Sequence, residues 1–460
     1  MERAQQDMSY FALGVMVLGG TLAGLTQTGV NTMLPAVAAD FGMPVSQSQW
    51  LSTSFMLCMG VIMPTVAFLS RRFHARELYL ASLLAFMLGS LVMALSPTFA
   101  LMIVGRVLQG CATGIIMPLL QVVAFTRFPL RKRGTIMGVM GLAFGFAPNI
   151  GPTIGGALQD AFGWRSFFWA LLAFTALLFV LAAVCVSKSP RHSEETLHVD
   201  NLSLALSTIG FGGLLLGMTN ASSAGLASAS CLVPLIVGAL VVAAFVRRQL
   251  SLERPFLDMR VFAYRDMTAG TVAICLLFAS FIGMALAIPL ELQALHGYSA
   301  LLAGMAMLPG TVTALVMNPI SGIVLDRFGP RAICLFGSAA VVVGTGAMMN
   351  LAAMDSLFWV MLWQGVRQVG ISSLIVPLTT WSVSALPARL SPDGSSVTNA
   401  FRQIAAALAT SVTVLLMAGG GASGAVSAAG TNHAAWFSIA AAVAMAAICV
   451  GFVKSKAAQR

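Results

Sequence analysis

Arg106, Glu291 and Arg367 are ionisable residues that lie inside long apolar segments of the chain. A charge in such a segment usually marks the path of a substrate, an ion or a proton, because burying it away from water is costly. Glu291, with His296 close by in the sequence, could bind and release a proton if it is buried; otherwise it is an interfacial carboxylate in contact with water. Arg106 could serve a substrate path or act as a structural hydrogen-bond donor.

Motifs for the common enzymatic reactions are absent from the sequence. There is no G-x-x-x-x-G-K-[ST] loop, none of the four lysines follows a glycine, and no H-E-x-x-H occurs. The seven cysteines fall in apolar segments without close pairing, which is typical of small buried residues rather than a disulfide or metal framework. We therefore expect no enzymatic activity, no cofactor and no metal site.

The apolar character extends to the whole chain of 460 residues, of which 58% are hydrophobic and 9% are charged. A soluble globular protein carries about 25% charged residues, so a soluble domain of this size is excluded. The mean hydropathy of +0.91 indicates a polytopic membrane protein. In such a protein a net charge of +10 indicates basic cytoplasmic loops rather than a nucleic-acid partner.

Apolar runs of about 20 residues without alternation predict transmembrane helices rather than the strands of a β-barrel. Charged and turn-forming residues divide the chain into roughly fourteen such runs. They cover residues 9–33, 50–70, 78–96, 98–120, 134–158, 165–186, 202–219, 230–247, 267–291, 300–323, 331–352, 357–380, 395–418 and 434–453.

The basic residues divide unequally between the two sets of loops. With both termini in the cytoplasm, the outer loops hold only Arg165, and Arg106, Arg367 and Arg402 fall within runs. All the other lysines and arginines then lie on the cytoplasmic side, as the positive-inside rule requires. This distribution supports the number of runs, because a missed helix would move every later loop to the opposite side of the membrane.

The segment Gly322–Arg331 joins two predicted helices on the cytoplasmic side. Its glycines allow a tight turn and close helix contact, and its charges could lock neighbouring helix ends. It resembles the G-x-x-x-D-R-x-G-x-R loop of the major facilitator superfamily; the alternative is an ordinary short basic loop. The residues that carry the resemblance are Gly322, Asp326, Arg327, Gly329 and Arg331.

The equivalent loop of the first half, Ala67–Arg76, resembles the same pattern less closely. Ala67, Arg71 and His74 stand where the family has Gly, Asp and Gly. The acidic side chain of the pattern is therefore missing, and with it the partner on which a lock at this loop depends.

Arg106-Val107-Leu108-Gln109-Gly110 matches a place where the family has an arginine facing the central cavity. The resemblance implies a cavity role for Arg106 and Gln109, with Arg367 in the twelfth run as the repeat partner. A polar patch near the inner end of the thirteenth run, around Asn399, is more consistent with a structural role.

The fifth run resembles the G-P-x-x-G-G signature of the superfamily's antiporters. Small residues four apart make a flat face for close packing, and the prolines kink the helix. Gly163–Trp169, which follows, resembles the G-W-R-W-x-F pattern of the drug:proton antiporter branch. The signature residues are Gly145, Pro148, Gly151, Pro152, Gly155 and Gly156.

Two further segments resemble the same branch. Asn31 opens a match to V-N-x-A-L-P-x-I, but Thr26 stands where the family has a membrane-embedded Asp, and Thr26 cannot carry a proton at physiological pH. Ile288–Ser299 resembles L-P-x-Y-x-Q…G-x-S, with Gln293 at the Gln position and Glu291 in place of the aromatic residue. These matches imply that the four residues belong to the cavity or the coupling site.

The motif sets at 67–120 and 322–377 predict two six-helix halves. The expected domains are residues 1–186 for the N-terminal bundle, 187–266 for linkers with two inserted helices, and 267–460 for the C-terminal bundle. As a whole the chain resembles the fourteen-helix drug:proton antiporters of the EmrB/QacA type. The expected fold class is thus an all-α polytopic membrane protein with the major facilitator fold.

The resemblance implies export of drugs or amphipathic small molecules, driven by protons, across the bacterial cytoplasmic (inner) membrane, and hence antibiotic resistance. Its expected partners are a small-molecule substrate, protons and the lipid bilayer, with a periplasmic adaptor and an outer-membrane channel as in some relatives. Two alternatives remain open. One is a narrow exporter of a single metabolite such as a siderophore or organic acid, and the other is a membrane protein without transport activity.

Overall fold

The structure is a computed structural model, and every regular element among the residues that it describes is a helix. The described part of each predicted apolar run is mainly helical, since a helix satisfies every backbone hydrogen bond within its own segment. The residues that the structure describes are 10–43, 45–48, 50–128, 132–141, 145–186, 200–224, 228–252, 255–298, 300–349, 356–417 and 428–453.

Short 3₁₀ turns and capping side chains set the helix boundaries in the first part of the chain. Turns at Val30–Met33 and Met63–Thr65 carry α1 into α2 and α4 into α5. The Thr98 hydroxyl accepts a hydrogen bond from the first turn of α7. The helices here are α1 (Tyr10–Gly29), α2 (Leu34–Asp40), α3 (Val45–Ser48), α4 (Trp50–Ile62), α5 (Val66–Arg72), α6 (Ala75–Leu95), α7 (Phe99–Arg127), α8 (Arg133–Gly141), α9 (Ala147–Phe162) and α10 (Arg165–Cys185).

The second part of the chain begins with a pair of helices that pack closely against each other, α11 and α12. A 3₁₀ turn at Met259–Ala263 then leads into the remaining helices. The helices of this part are α11 (Asn201–Ala224), α12 (Ala229–Ser251), α13 (Arg265–Ala294), α14 (Ala300–Met305), α15 (Leu308–Phe328), α16 (Pro330–Ala347), α17 (Leu357–Ser384), α18 (Ser391–Met417) and α19 (Ala428–Phe452).

Twelve spans within the described residues are long and apolar enough to cross a membrane, and they coincide with twelve of the predicted runs. The other two runs are helical as well. The fifth forms α8 and α9, and the twelfth forms α17, which has 28 residues and carries several buried polar side chains. The multi-pass all-helical fold is therefore confirmed, while the count of fourteen spans stays a prediction.

The helices pack as two groups. In the first part of the chain α7 packs on α4 and α6, and α9 packs on α1; in the second part α19 packs on α13 and α16, and α17 packs on α15 and α16. These groups are called the first and second halves below. The predicted domain boundaries at 186 and 266 stay predictions.

Helix α11 contacts both halves. Its Phe211 ring meets Phe401 of α18 edge-on at 6.4 Å, and Leu215 fills the space beside Gly60 of α4. Helix α12 packs closely on α11, and its Phe245 ring meets the same Phe211 ring at 6.3 Å. The pair predicted as inserted between the halves therefore lies along one of the seams where the halves meet.

One end of the bundle, called the basic end below, carries most of the arginines. Here α5, α7 and α15 end while α6, α8 and α16 begin. The arginines on these helix ends are Arg71, Arg72, Arg76, Arg127, Arg133, Arg327 and Arg331. This end corresponds to the predicted cytoplasmic side.

Candidate functional site

The first contact between the halves at the basic end brings the backbones of α8 and α15 together. A Cβ added to Gly138 would lie 2.8 Å from the carbonyl oxygen of Asn318, and one added to Gly322 would meet the backbone of Gly134. Gly145 lies farther along the same run, beside the Asn318 side chain. Because glycine has no Cβ, the two helices can approach this closely.

Asp326, at the end of α15, holds the same contact electrostatically. Its carboxylate accepts hydrogen bonds from the N–H groups of Gly134 and Thr135, at 2.9 and 2.7 Å, and from the Thr135 hydroxyl at 2.6 Å. These groups form the first turn of α8, where the helix dipole favours a negative charge. A side chain of the second half thus caps a helix of the first half.

The rest of the predicted gating loop turns the chain just beyond this carboxylate. Gly329 has a φ of 81°, which ends α15 and allows Pro330 to begin α16 at once. Arg327 and Arg331 lie on either side of the turn and are exposed. Within this loop Asp326 supplies the contact with α8, and Gly329 supplies the turn.

The second contact between the halves is an ion pair. Arg71, at the end of α5, reaches Asp393 in the first turn of α18, with an Nη1–Oδ2 distance of 2.8 Å. The Asp393 side chain is fully buried and also accepts a hydrogen bond from the Asp258 N–H at 2.9 Å. Arg71 additionally donates to the Phe256 carbonyl at 2.8 Å, so one ion pair ties together three segments.

The expectation that the first-half loop lacks an acidic partner is therefore wrong. The polarity is reversed: the cation, Arg71, is on the loop, and the carboxylate, Asp393, is on the facing helix. Each charge still lies at a favourable helix end, because Arg71 is in the last turn of α5 and Asp393 is in the first turn of α18. Like the carboxylate of Asp326, that of Asp393 stands at a helix N-terminus.

Sequence reasoning missed Asp393 because it placed the residue in a loop before a run at 395–418. The helix starts earlier, at Ser391. Ser391-Pro392-Asp393 is a recognisable helix start, with proline near the first position and an acid in the first turn. Asp393 therefore joins Glu291 as an acid buried within a membrane-spanning helix.

The basic end is closed. All side chains at 116–125 of α7, 370–383 of α17 and 390–400 in and before α18 are buried. Within this region the Asn399 amide donates to the Gln121 side-chain carbonyl at 2.7 Å, which links the halves across α7 and α18. The polar patch of the thirteenth run thus includes one direct contact between halves.

Arg106 is fully buried within the first half. Its Nε donates to the Leu51 carbonyl at 2.8 Å, its Nη1 donates to Gln109 at 3.0 Å, and its guanidinium lies 4.2 Å from the centre of the Phe55 ring. Gln109 in turn donates to the Ser90 hydroxyl at 3.0 Å. These bonds join α7 to α4 and α6.

Arg367 repeats this arrangement in the second half. It is fully buried, and its Nη2 donates to the carbonyls of Ser280 and Phe281, at 2.8 and 3.1 Å, while Nη1 donates to Gln364 at 3.2 Å. In the described part of the chain neither Arg106 nor Arg367 has a carboxylate partner. Both side chains are fully buried in this conformation, and the predicted cavity role of these residues stays a prediction.

Thr26 and Asn31 occupy different environments along the first span. Thr26 is buried; its hydroxyl donates to the Leu22 carbonyl at 2.8 Å, and its own carbonyl accepts a long hydrogen bond of 3.5 Å from Arg106. Asn31 is exposed, and its side-chain oxygen accepts a hydrogen bond from Ser52 at 2.5 Å. The structure thus places only Thr26 beside Arg106.

Glu291, near the end of α13, is only 1% exposed. Its Oε1 atom is buried without a hydrogen-bond partner among the described residues, and the Thr431 side chain lies within hydrogen-bond reach of the carboxyl group. The alternative of a carboxylate in contact with water is therefore wrong for this conformation. His296 stacks on Tyr298 with ring centres 6.0 Å apart, and the side chain of Gln293 lies outside the described residues.

The outer part of the antiporter signature packs α9 on α1. A Cβ added to Gly151 would lie 2.6 Å from the Leu25 carbonyl oxygen, and one added to Gly155 would lie 2.5 Å from that of Gly29. The fifth run therefore has two glycine faces. One face, on α8, meets the second half, and the other, on α9, meets the first half.

Two other positions of the signature differ in their surroundings. The carbonyl of Pro148 accepts a hydrogen bond from the Thr28 hydroxyl at 2.6 Å, and Pro152 lies within α9. A Cβ added to Gly156 would have no atom within 4 Å. The expectation of close packing is therefore wrong for Gly156.

Two cysteine pairs also depart from expectation. Cys58 of α4 lies within hydrogen-bond reach of Cys111 of α7, and Cys334 of α16 lies within reach of Cys449 of α19. The expectation of no close pairing is wrong for these four residues. All seven are free thiols, and the described residues contain no cluster that could hold a metal ion.

Comparison with known proteins places this geometry in context. A model of the Major Facilitator Superfamily matches residues 16–410. The chain is 36% identical to the uncharacterized MFS-type transporter YcnB of Bacillus subtilis, covering 96% of this chain and 93% of the relative. It is 32% identical to the lincomycin resistance protein LmrB of Listeria monocytogenes, covering 88% of this chain and 85% of that relative. It is 27% identical to the multidrug export protein EmrB of Escherichia coli, covering 90% of this chain and 81% of that relative.

Solved structures agree on the fold. The human organic anion transporter MFSD10 superposes with a TM-score of 0.66 at 17% identity, covering 96% of this chain and 100% of that one. The proton:xylose symporter XylE superposes with a TM-score of 0.65 at 15% identity, covering 97% of this chain and 96% of that one. At these identities the likeness concerns the fold alone.

The ion pair between halves gives a first prediction. Arg71→Ala leaves the buried Asp393 carboxylate without its cation, which we expect to cost on the order of 3 kcal/mol and to lower the melting temperature of the purified protein. The exchange Arg71→Asp with Asp393→Arg should recover only part of the loss, because it places a cation at a helix N-terminus.

Arg72→Ala is the matched control, since Arg72 is the adjacent arginine and is exposed. Two results together would show that the ion pair does not hold the halves. One is equal melting temperatures for Arg71→Ala and Arg72→Ala. The other is a double exchange that melts no higher than the less stable of Arg71→Asp and Asp393→Arg alone.

The glycine contact gives a second prediction. Gly138→Ala forces α8 away from the backbone of α15 and should favour opening of the basic end. In a background without native cysteines, a cysteine at Ser396, which is fully buried, should then react severalfold faster with a maleimide. Gly156→Ala is the control, because its Cβ meets nothing. Unchanged reactivity in Gly138→Ala would refute the role of this contact.

Proposed function

The chain belongs to the Major Facilitator Superfamily, and we propose that within it the chain is a secondary active exporter of drugs or amphipathic small molecules. The similarity to relatives named for lincomycin resistance and multidrug export supports this proposal. The observation that carries it is the closed basic end. There α5 meets α18 through an ion pair and α15 meets α8 through a helix cap and glycine contacts, and these contacts can separate without unfolding either half.

We propose that the basic end faces the cytoplasm of a bacterium, with both termini on that side of the inner membrane. The unequal distribution of arginines supports this orientation. The described conformation is then closed towards the cytoplasm. Export requires that the contacts at Asp326 and Asp393 break to admit substrate, and that they form again as the halves rock to release it outside.

For coupling, we propose that Glu291 carries the proton. It is buried, it has an oxygen without a partner, and it lies on α13. Thr26 occupies the position where the family usually has an acid, so no proton carrier is present there. The carboxylate of Asp393 is already paired with Arg71. Helix α13 also supplies the carbonyls that bind Arg367. A change of charge at Glu291 would therefore act on a helix that is fixed to α17.

Proton entry would supply the energy for export. The electrical part of the gradient is worth about 2.3 kcal/mol per charge per 100 mV. Because Arg106 and Arg367 bind backbone carbonyls within their own halves, we propose that they keep each half rigid while the contacts between halves change. Association with a periplasmic adaptor and an outer-membrane channel is a further part of the proposal, which co-purification would test.

A second candidate is an exporter for organic acids. Arg106, Arg367 and Arg402 are all buried, whereas Asp393 and Glu291 are the carboxylates buried among the described helices. This excess of buried cations makes the interior of the bundle positive on balance, which favours a substrate that brings negative charge even while Arg106 and Arg367 keep their carbonyl partners. A panel of neutral, cationic and acidic compounds distinguishes the two candidates.

The test is expression in a pump-deficient bacterial host, with efflux of each compound measured with and without a protonophore. We expect efflux that the protonophore abolishes. Glu291→Gln should lower efflux to the level of cells without the transporter, since an amide cannot release a proton. The control is Asp160→Asn, which changes an exposed acid of α9.

The outcomes separate the two parts of the proposal. Efflux that continues in Glu291→Gln with its protonophore sensitivity intact would remove Glu291 from the mechanism and leave export standing. No efflux and no change in any susceptibility for the unaltered protein would remove the exporter itself.

A further inference from the structure

A groove of about 480 Å³ lies at the basic end, where the first turns of α13 approach the last turn of α19. It is distant in sequence from every motif assigned to transport. One charged side chain lines it. The residues that define its walls are Phe262, Arg265, Thr268, Val272, Ile448 and Phe452.

Arg265 makes one end of the groove positive. It is exposed, its guanidinium lies 4.8 Å from the centre of the Phe452 ring, and it has no salt bridge within the described residues. It is also the first residue of α13, whose N-cap, Tyr264, provides no side-chain hydrogen bond. The positive end of the helix dipole therefore adds to the charge of Arg265.

The nearest acid on the same helix is Asp266, the next residue. It does not line the groove, and as the neighbour of Arg265 it lies about 100° farther around the helix. The hydroxyl of Thr268 donates to the Phe262 carbonyl at 2.8 Å, so its proton is already used. Arg265 is thus the polar group in the groove that is available to bind an anion.

The rest of the groove is apolar and runs away from the basic end. Arg265, Thr268 and Val272 share one face of α13 and span about 10 Å along the helix axis. Val272 is 45% exposed, and Ile448 faces the groove from α19. Since both helices are membrane spans, this apolar face lies at the depth of the acyl chains.

A cation at the membrane surface with an apolar channel leading inward matches one kind of molecule. We propose that the groove binds an anionic phospholipid, with its phosphate at Arg265 and one acyl chain against Val272 and Ile448. The cytoplasmic leaflet supplies such lipids, and basic pockets between spans on that side recognise their headgroups. Binding here is independent of export, because the groove contains none of the residues that join the halves.

The test uses the full chain in nanodiscs made of equal parts phosphatidylglycerol and phosphatidylcholine, followed by native mass spectrometry of the lipid that stays bound. We expect about fivefold enrichment of phosphatidylglycerol, the ratio that one favourable charge near the surface provides. Arg265→Ala should abolish this preference, and Arg265→Lys should retain most of it.

Two further variants separate charge from shape. Arg247→Ala removes another exposed arginine, on α12 and outside the groove, and should keep the enrichment. Val272→Trp fills the apolar part without changing charge and should reduce the total lipid retained. Both changes are at exposed positions, and a monodisperse elution profile verifies folding.

Three results would overturn the proposal. They are equal retention of the two lipids by the unaltered protein, the same enrichment in Arg265→Ala as in the unaltered protein, and loss of the enrichment on adding inorganic phosphate. The last result would show a site for a soluble anion instead of a lipid.

Discussion

Two carboxylates at helix N-termini hold the basic end of this transporter together. Asp326 receives the first N–H groups of α8 across one seam, and Asp393, in the first turn of α18, receives Arg71 across the other. Backbone contact between glycines brings α8 and α15 close enough for the first of these interactions. Because both interactions are polar and local, they can break without exposing the apolar core of either half.

The buried arginines serve a different purpose. Arg106 and Arg367 donate to carbonyls and glutamines inside their own halves, where a guanidinium can satisfy several acceptors with fixed geometry. Breaking such bonds would leave a charge unpaired in a dry interior, which is costly. Rigid halves with breakable contacts between them are the physical requirement for rocking motion.

The membrane class, the helical runs and the family could be predicted from the sequence, because hydropathy and glycine spacing report local physical requirements. The contact partners of individual residues could not be predicted in this way. The sequence shows that Arg71 departs from the family pattern, yet the acid that pairs with Arg71 lies 322 residues away in the chain. The burial of Glu291 and the empty space beside Gly156 likewise depend on which helix packs alongside. The residues near each position in the sequence do not encode that information.

The most direct test of this account is the distance across the basic end during transport. Spin labels at Phe73 and Phe328, both exposed and on opposite halves, can be measured by double electron–electron resonance in reconstituted protein. We expect two populations of distances, one short and one long, whose ratio shifts with substrate and pH. A single short distance under all conditions, in protein that still transports, would contradict it.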